Sequence, residues 1–313
     1  MPSLRPLPRK LQWLALPLLA SIAGSLFAWA HSSTSGDYRI VHNLTYTPPG
    51  WPQALAGDLY LPTRTGPIPV LLVVHGGSWK SGDRDGWDVA PIARHLAAHG
   101  YAAFSVDYRL APTWLYPAPL DDLQLAVSWL RAHAGEYHLD ADAVGAWGYS
   151  AGAHLVSMLG TKDNAQLHLR AVVAGGTPAD LTRWPDSPVV KEFLGKNARE
   201  NLALSAAASP INHIDANTPP FFLYHGAWDT LVEPEQAKLM ADALRAQGVS
   251  EELYYLSGFG HILTAIIPGE ALDKGTAFLD AHLMPATPLS TTSTTSTAAS
   301  VAPDSALTHA VSN

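Results

Sequence analysis

The sequence predicts an α/β protein: a mostly parallel central sheet flanked by helices on both faces, with a small lid insertion. Three observations carry this. Strand-like and helix-like stretches alternate through most of the 313 residues. Ile68–Val74 is a continuous apolar run, as expected of a parallel strand buried on both faces. Residues 148–152 set a serine between two glycines where a strand gives way to a helix. One folded unit over 36–284 is expected, between two ends of different character.

The amino end, residues 1–30, has the layout of a signal peptide. Arg5, Arg9 and Lys10 precede an apolar stretch over 11–27, softened by Pro17, Ser21 and Gly24, and Ala28-Trp29-Ala30 supplies the small residues of a cleavage site. An uncleaved signal anchor is the alternative, because the stretch approaches the ~20 residues that span a bilayer. The first reading implies a secreted or periplasmic protein, the second a membrane-anchored one with its domain outside the cytoplasm. The carboxyl end, 285–313, is rich in Ser, Thr, Ala and Pro and has no aromatic residue. It can bury too little apolar surface to offset the entropy of ordering, so a disordered tail is expected.

Between these ends the pattern predicts strands over 38–46 and 57–61, then the strand Ile68–Val74. A helix over 89–98 is stopped by Gly100, and a strand follows over 101–106. Leu123, Ala126, Val127 and Leu130 recur at helical spacing within 120–133. A short strand over 143–147 leads into the serine turn and a helix over 153–159. Strands are expected over 169–174, 220–224 and 251–256, and helices over 234–246 and 268–282. Residues 177–211 break the alternation and are expected to form short helices over the mouth of a site.

Composition excludes several classes of function. There is no cysteine, so disulfides, thiol catalysis and cysteine-based zinc sites are absent. The net charge of −8, with no basic run beyond the first ten residues, gives no footing for nucleic-acid binding. The histidines show no metal-ligand spacing, and neither metal nor cofactor is expected.

Gly148-Tyr149-Ser150-Ala151-Gly152 matches the G-x-S-x-G nucleophile elbow, a strained turn that lifts a serine hydroxyl above the sheet. Such a serine needs a base, a group to orient the base, and donors for a developing oxyanion. His261, in the Gly-flanked loop after strand 251–256, is the expected base. Asp229, in the loop after strand 220–224, is the expected acid, with Asp180 after the preceding strand as its rival. Oxyanion donors are expected from the Ala151 N–H and from His75-Gly76-Gly77-Ser78-Trp79, Gly77 first and Gly76 second. His75 is expected to brace that loop, His225 to pack at a strand end, and His154 to be a hydrogen-bonded helix residue. Asp107 and Arg109 are expected to fix the loop after their strand through an ion pair or backbone contacts, and Asp122 to orient a neighbouring loop. Trp79, Tyr149, Trp184 and Phe259 are candidate pocket walls.

Four segments together resemble the α/β-hydrolase superfamily, in its hormone-sensitive-lipase-like and feruloyl/acetylxylan-esterase-like (BD-FAE-like) branch. They are residues 75–79, Asp107-Tyr108-Arg109-Leu110-Ala111-Pro112, residues 116–122, and residues 148–155. The resemblance spans roughly 44–283. It implies a serine carboxylesterase acting on short-chain or aryl esters through an acyl-enzyme, with a small-molecule ester as its partner. Ser78 stands where that branch usually has a third glycine, a departure that bears on bulky tertiary-alcohol esters. Residues 75–79 and 150–154 are also similar to kynurenine formamidase, making an amide hydrolase the alternative enzyme. A non-catalytic binding module, as in the cholinesterase-like adhesion proteins, is the alternative outside catalysis. The oligomeric state has no signature in the sequence.

Overall fold

A computed structural model describes residues 36–284. The expected signal segment (1–30) and the expected disordered tail (285–313) lie outside the described residues. Eight strands form one sheet: β1 (Tyr38–Thr45), β2 (Ala56–Pro62), β3 (Ile68–Val74), β4 (Ala102–Val106), β5 (Leu139–Tyr149), β6 (Val172–Gly175), β7 (Phe221–Gly226) and β8 (Glu251–Leu256). Their order is β1-β2-β4-β3-β5-β6-β7-β8; β2 runs antiparallel to β1 and to β4, and every other pairing is parallel.

The helices are α1 (Ala90–Ala98), α2 (Ala118–Ala132), α3 (Ala134–Tyr137), α4 (Ala151–Thr161), α5 (Asn164–Leu167), α6 (Pro188–Leu194), α7 (Leu202–Ala207), α8 (Glu235–Ala246), α9 (His261–Ile266) and α10 (Glu270–Leu283). The alternation of side chains along each strand divides the core in two. Val70, Leu72 and Val74 of β3 pack with apolar residues of α2, α4 and α8, whereas Leu71 and Val73 pack with those of α1 and α10. Every residue of β3 is buried, as its apolar run predicts. The outermost strands β1 and β8 are partly exposed along much of their length.

Two elements differ from expectation. The strand predicted over 143–147 extends over 139–149; Asp140 and Asp142 sit where the β3 pairing slips register, and so keep contact with water. The glycine-rich stretch 258–260 reads as pure loop, yet Gly260 caps α9, which begins at His261 itself. The loops that leave the carboxyl ends of β3, β5, β7 and β8 converge on one edge of the sheet. This is where ligands bind in open α/β sheets. Residues 177–211 rise over that edge as α6, α7 and two 3₁₀ turns, Leu181–Arg183 and Pro210–His213.

Candidate active site

At the end of β5 the chain must reverse into α4 within one residue. Ser150 makes that turn with φ 53° and ψ −118°, a strained conformation for a residue with a Cβ. Its neighbours have to be glycine because backbone approaches them closely. A Cβ on Gly152 would lie 2.0 Å from the Val74 carbonyl oxygen, and one on Gly148 would lie 2.4 Å from the Gly152 carbonyl. The turn therefore holds the serine hydroxyl above the sheet, at the amino end of α4.

The structure brings Ser150, His261 and Asp229 together from three loops. His261 Nε2 is 2.8 Å from Ser150 Oγ, and its Nδ1 is 2.6 Å from Asp229 Oδ2. Asp229 Oδ1 accepts from the N–H groups of Leu231 and Val232, both at 2.9 Å. A second histidine also faces this carboxylate. His225 Nε2 donates to the Val232 carbonyl at 2.8 Å and lies 3.2 Å from Asp229 Oδ2. Burial opposes the ionisation of Asp229. The hydrogen bonds from His225, His261 and the Val232 N–H, with the His261 charge, outweigh it and hold the carboxyl well below the usual range. Asp180, the rival acid, instead caps the first 3₁₀ turn and accepts from Thr182 N–H and Oγ1, so it does not take that place. Tyr149 braces His261, its hydroxyl donating to the His261 carbonyl at 2.6 Å.

The loop after β3 passes through three successive left-handed residues, Gly77 (φ 101°), Ser78 (56°) and Trp79 (61°). This curl returns the N–H groups of Lys80 and Ser81 to the Gly77 carbonyl, each at 3.1 Å. Among the described residues, the N–H groups of Gly77 and Ala151 donate to no protein acceptor. Gly76 departs from the expectation. Its N–H is already engaged by the buried Asp88 carboxylate at 2.6 Å, and so is not free to meet an oxyanion.

His75 stacks on Tyr108 with ring centroids 4.2 Å apart, while the Tyr108 hydroxyl donates to the His75 carbonyl. Burial pushes the His75 pKa down. Trp79 lies flat on Phe193 of α6, centroids 4.4 Å apart, and its indole N–H donates to His154 Nδ1 at 3.2 Å. His154 Nε2 donates in turn to the Ala208 carbonyl at 2.7 Å. That pair of bonds requires a neutral imidazole, and burial lowers the His154 pKa to about 4. His154 thus joins the serine helix, the loop after β3 and the segment above it. Farther out, the ion pairs are Arg84 with Asp107 and Arg109 with Asp122, not Asp107 with Arg109.

A cavity of about 310 Å³ opens onto Ser150 and His261. Trp79, Tyr149 and Trp184 line it, as do Trp87, Leu231 and Ile262, which the sequence did not single out. Phe259 does not. Its half-buried ring packs against the core cluster that holds α1 and α10 while its carbonyl accepts from Trp228 N–H, so its place as a pocket wall is corrected. Asp88 and His225 were the other residues missed as parts of the site. Asp88 directly precedes an apolar helix, a pattern that signals a helix start rather than a brace for a loop twelve residues upstream. Among the described residues no group of three or more His, Asp or Glu side chains is arranged to hold a metal ion.

This geometry can be set beside known proteins. The BD-FAE family model matches residues 57–244. A probable carboxylic ester hydrolase of Mycobacterium tuberculosis, LipM, is 34% identical over 198 residues, which is 58% of this chain and 46% of LipM. The chain spans about half the length of the curated relatives it matches. Among solved structures, a bacterial heroin esterase is similar with a TM-score of 0.65 at 26% identity, covering 84% of this chain and 89% of that one. A truncated carbohydrate esterase from gut microbiota shares the fold, with a TM-score of 0.69 at 21% identity, covering 79% of this chain and 99% of that one.

Proposed function

The chain belongs to the BD-FAE family of α/β-hydrolases, and from that membership we propose that it is a serine carboxylesterase acting on short-chain or aryl esters. One observation carries the reading: the unbroken path from Asp229 Oδ2 through His261 to Ser150 Oγ, in contacts of 2.6 and 2.8 Å at the floor of an open cavity. The similarity to ester hydrolases supports it independently.

In the proposed reaction, His261 Nε2 takes the Ser150 proton as Oγ bonds to the ester carbonyl carbon. Asp229 stabilises the resulting imidazolium and fixes Nδ1 as the protonated nitrogen. Charge builds on the carbonyl oxygen, which is met by the free N–H groups of Gly77 and Ala151, the latter at the positive end of α4. Collapse breaks the carbon–oxygen bond to the alcohol, and His261 passes its proton to the departing oxygen. Water, deprotonated by the same imidazole, then attacks the acyl-serine; the bond to Ser150 Oγ breaks as His261 returns the proton to that oxygen, and the acid is released. The amino-terminal segment supports export, so the reaction is assigned to the cell exterior or periplasm, or to a membrane-anchored domain facing it.

The test is a fluorophosphonate label followed by turnover of p-nitrophenyl acetate, methyl ferulate, acetylated xylan and N-formylkynurenine, with Ser150→Ala as blank. An adduct on Ser150 and ester turnover at least about 10³-fold above the blank are expected. No adduct on the folded protein would sink the proposal, and turnover of the formamide alone would replace it with an amide hydrolase.

A further inference from the structure

Nine large apolar side chains are exposed among the described residues, and six of them belong to the segments that border the active-site cavity: Trp87, Leu231 and Ile262 line it, and Trp228, Leu263 and Ile266 adjoin Leu231 and Ile262 on the same loop and helix, extending this apolar rim. We infer that this rim is a docking surface for a lipid–water interface with electrically neutral headgroups, from which apolar esters enter the cavity.

The six residues come from the loops that build the site. Trp228 and Leu231, 72% and 63% exposed, flank Asp229 in the loop after β7. Ile262, Leu263 and Ile266 form the outward face of α9, whose first residue is His261, while Thr264 and Ala265 turn inward and are buried. A surface helix ordinarily presents polar side chains on that face. Trp87, 57% exposed, directly precedes Asp88 and lines the cavity. The Trp228 N–H bond to the Phe259 carbonyl, 2.8 Å, ties the β7 loop to the segment that leads into α9. Trp87, Leu231 and Ile262 also line the cavity, so its apolar wall continues outward as the rim without a polar break at those residues.

A patch of this kind marks an interaction surface, and two features choose the occupant. The first is accessibility: the patch surrounds an opening that substrate must cross. A fixed protein partner would close that opening, whereas a fluid lipid surface supplies it. The second is charge. The loops 227–234 and 257–269 contain no lysine or arginine, the two cations of the segment leading to Trp87 are each paired with carboxylates (Lys80 with Glu192, Arg84 with Asp58 and Asp107), and the chain carries a net charge of −8. Nothing there would draw the rim to an anionic membrane. Glu233, the one acidic side chain of these loops besides Asp229, is engaged by the Trp184 indole N–H at 2.9 Å. The use of this surface rests on the esterase reading above; its binding to lipid does not, and the test separates the two.

The variant is Trp228→Ser, Leu263→Ser and Ile266→Ser together, three positions outside the cavity wall. Protein in the form that the signal-peptide reading expects, beginning at His31 and carrying Ser150→Ala, with and without the three substitutions, is floated with phosphatidylcholine vesicles. The apolar stretch 11–27 would insert by itself and mask a peripheral contact, so its removal from both proteins lets the difference report the rim. The apparent partition coefficient is expected to fall at least about tenfold in the variant. Equal flotation would overturn the proposal, as would a clear preference for phosphatidylglycerol vesicles. A dimer in solution that dissociates on substitution, with no vesicle binding, would overturn it in favour of self-association. With Ser150 intact, the variant should hydrolyse dissolved tributyrin at the parent rate and lose at least about fivefold on the emulsion. Loss on both forms alike would count against a surface role. Vesicle binding with no hydrolysis of either form would support the rim and overturn the esterase reading.

Discussion

Acidifying the protein from pH 7 to pH 5 should cost it about 2 kcal/mol of stability through His154 alone. The imidazole accepts the Trp79 indole N–H at one nitrogen and donates to the Ala208 carbonyl from the other, a pairing that only the neutral ring can make. Fully buried, it has its pKa lowered from the ordinary 6.5 to about 4. Between those two values the unfolded chain binds a proton that the folded protein refuses, so stability rises with pH across that window and falls on acidification. The full shift corresponds to about 3 kcal/mol, of which about 2 is lost by pH 5. His75 and His95 are displaced in the same direction by burial, so the parent protein alone cannot isolate the effect. Urea unfolding at pH 7 and pH 5 should therefore be compared with His154→Gln, whose amide can still donate toward Ala208. The parent should lose about 2 kcal/mol more than the variant over that interval. Equal losses, or a His154 ring that protonates near pH 6.5 in the folded state by NMR, would refute the reasoning.

Two further outcomes follow from the site. Asp88→Ala leaves the Gly76 N–H buried without an acceptor, at a cost of about 1–3 kcal/mol that loosens the loop bearing Gly77. On p-nitrophenyl acetate kcat should drop by roughly tenfold or more, with Asp88→Asn recovering most of it because the amide oxygen still accepts; equal rates for the two variants would remove Asp88 from this role. Gly152→Ala sets a methyl 2.0 Å from the Val74 carbonyl oxygen, a backbone group that cannot swing away. The fold should lose about 3 kcal/mol or more, seen as a lower urea midpoint, and an unchanged midpoint would show that the elbow is looser than drawn.

Much of the site was legible because its chemistry is bound to local pattern. Gly148 and Gly152 around Ser150 report a turn whose sterics are set within five residues and one neighbouring strand. His261 and Asp229 announce themselves by following strands, since the carboxyl ends of parallel strands share one edge of a sheet. What stayed hidden involves partners distant in the chain. The Asp88 carboxylate on the Gly76 N–H is one case; the His154 bridge from Trp79 to Ala208 is another, with partners 75 and 54 residues away. Glycines at 258 and 260 signalled an open loop, yet the next six residues form α9 with Thr264 and Ala265 buried, and Phe259 lies half-buried against the core.

Periodicity, glycine placement and the order of serine, acid and histidine along the chain were thus enough for the fold class, the elbow and the expected triad. Those features depend on neighbours a few residues apart or on the handedness and direction of strands. Tertiary contact alone set Asp229 rather than Asp180 beside His261, committed the Gly76 donor to Asp88, and brought Trp87, Leu231 and Ile262 to one cavity. Each of those outcomes depends on which distant surfaces meet, a property carried by the packed core rather than by any single stretch of sequence.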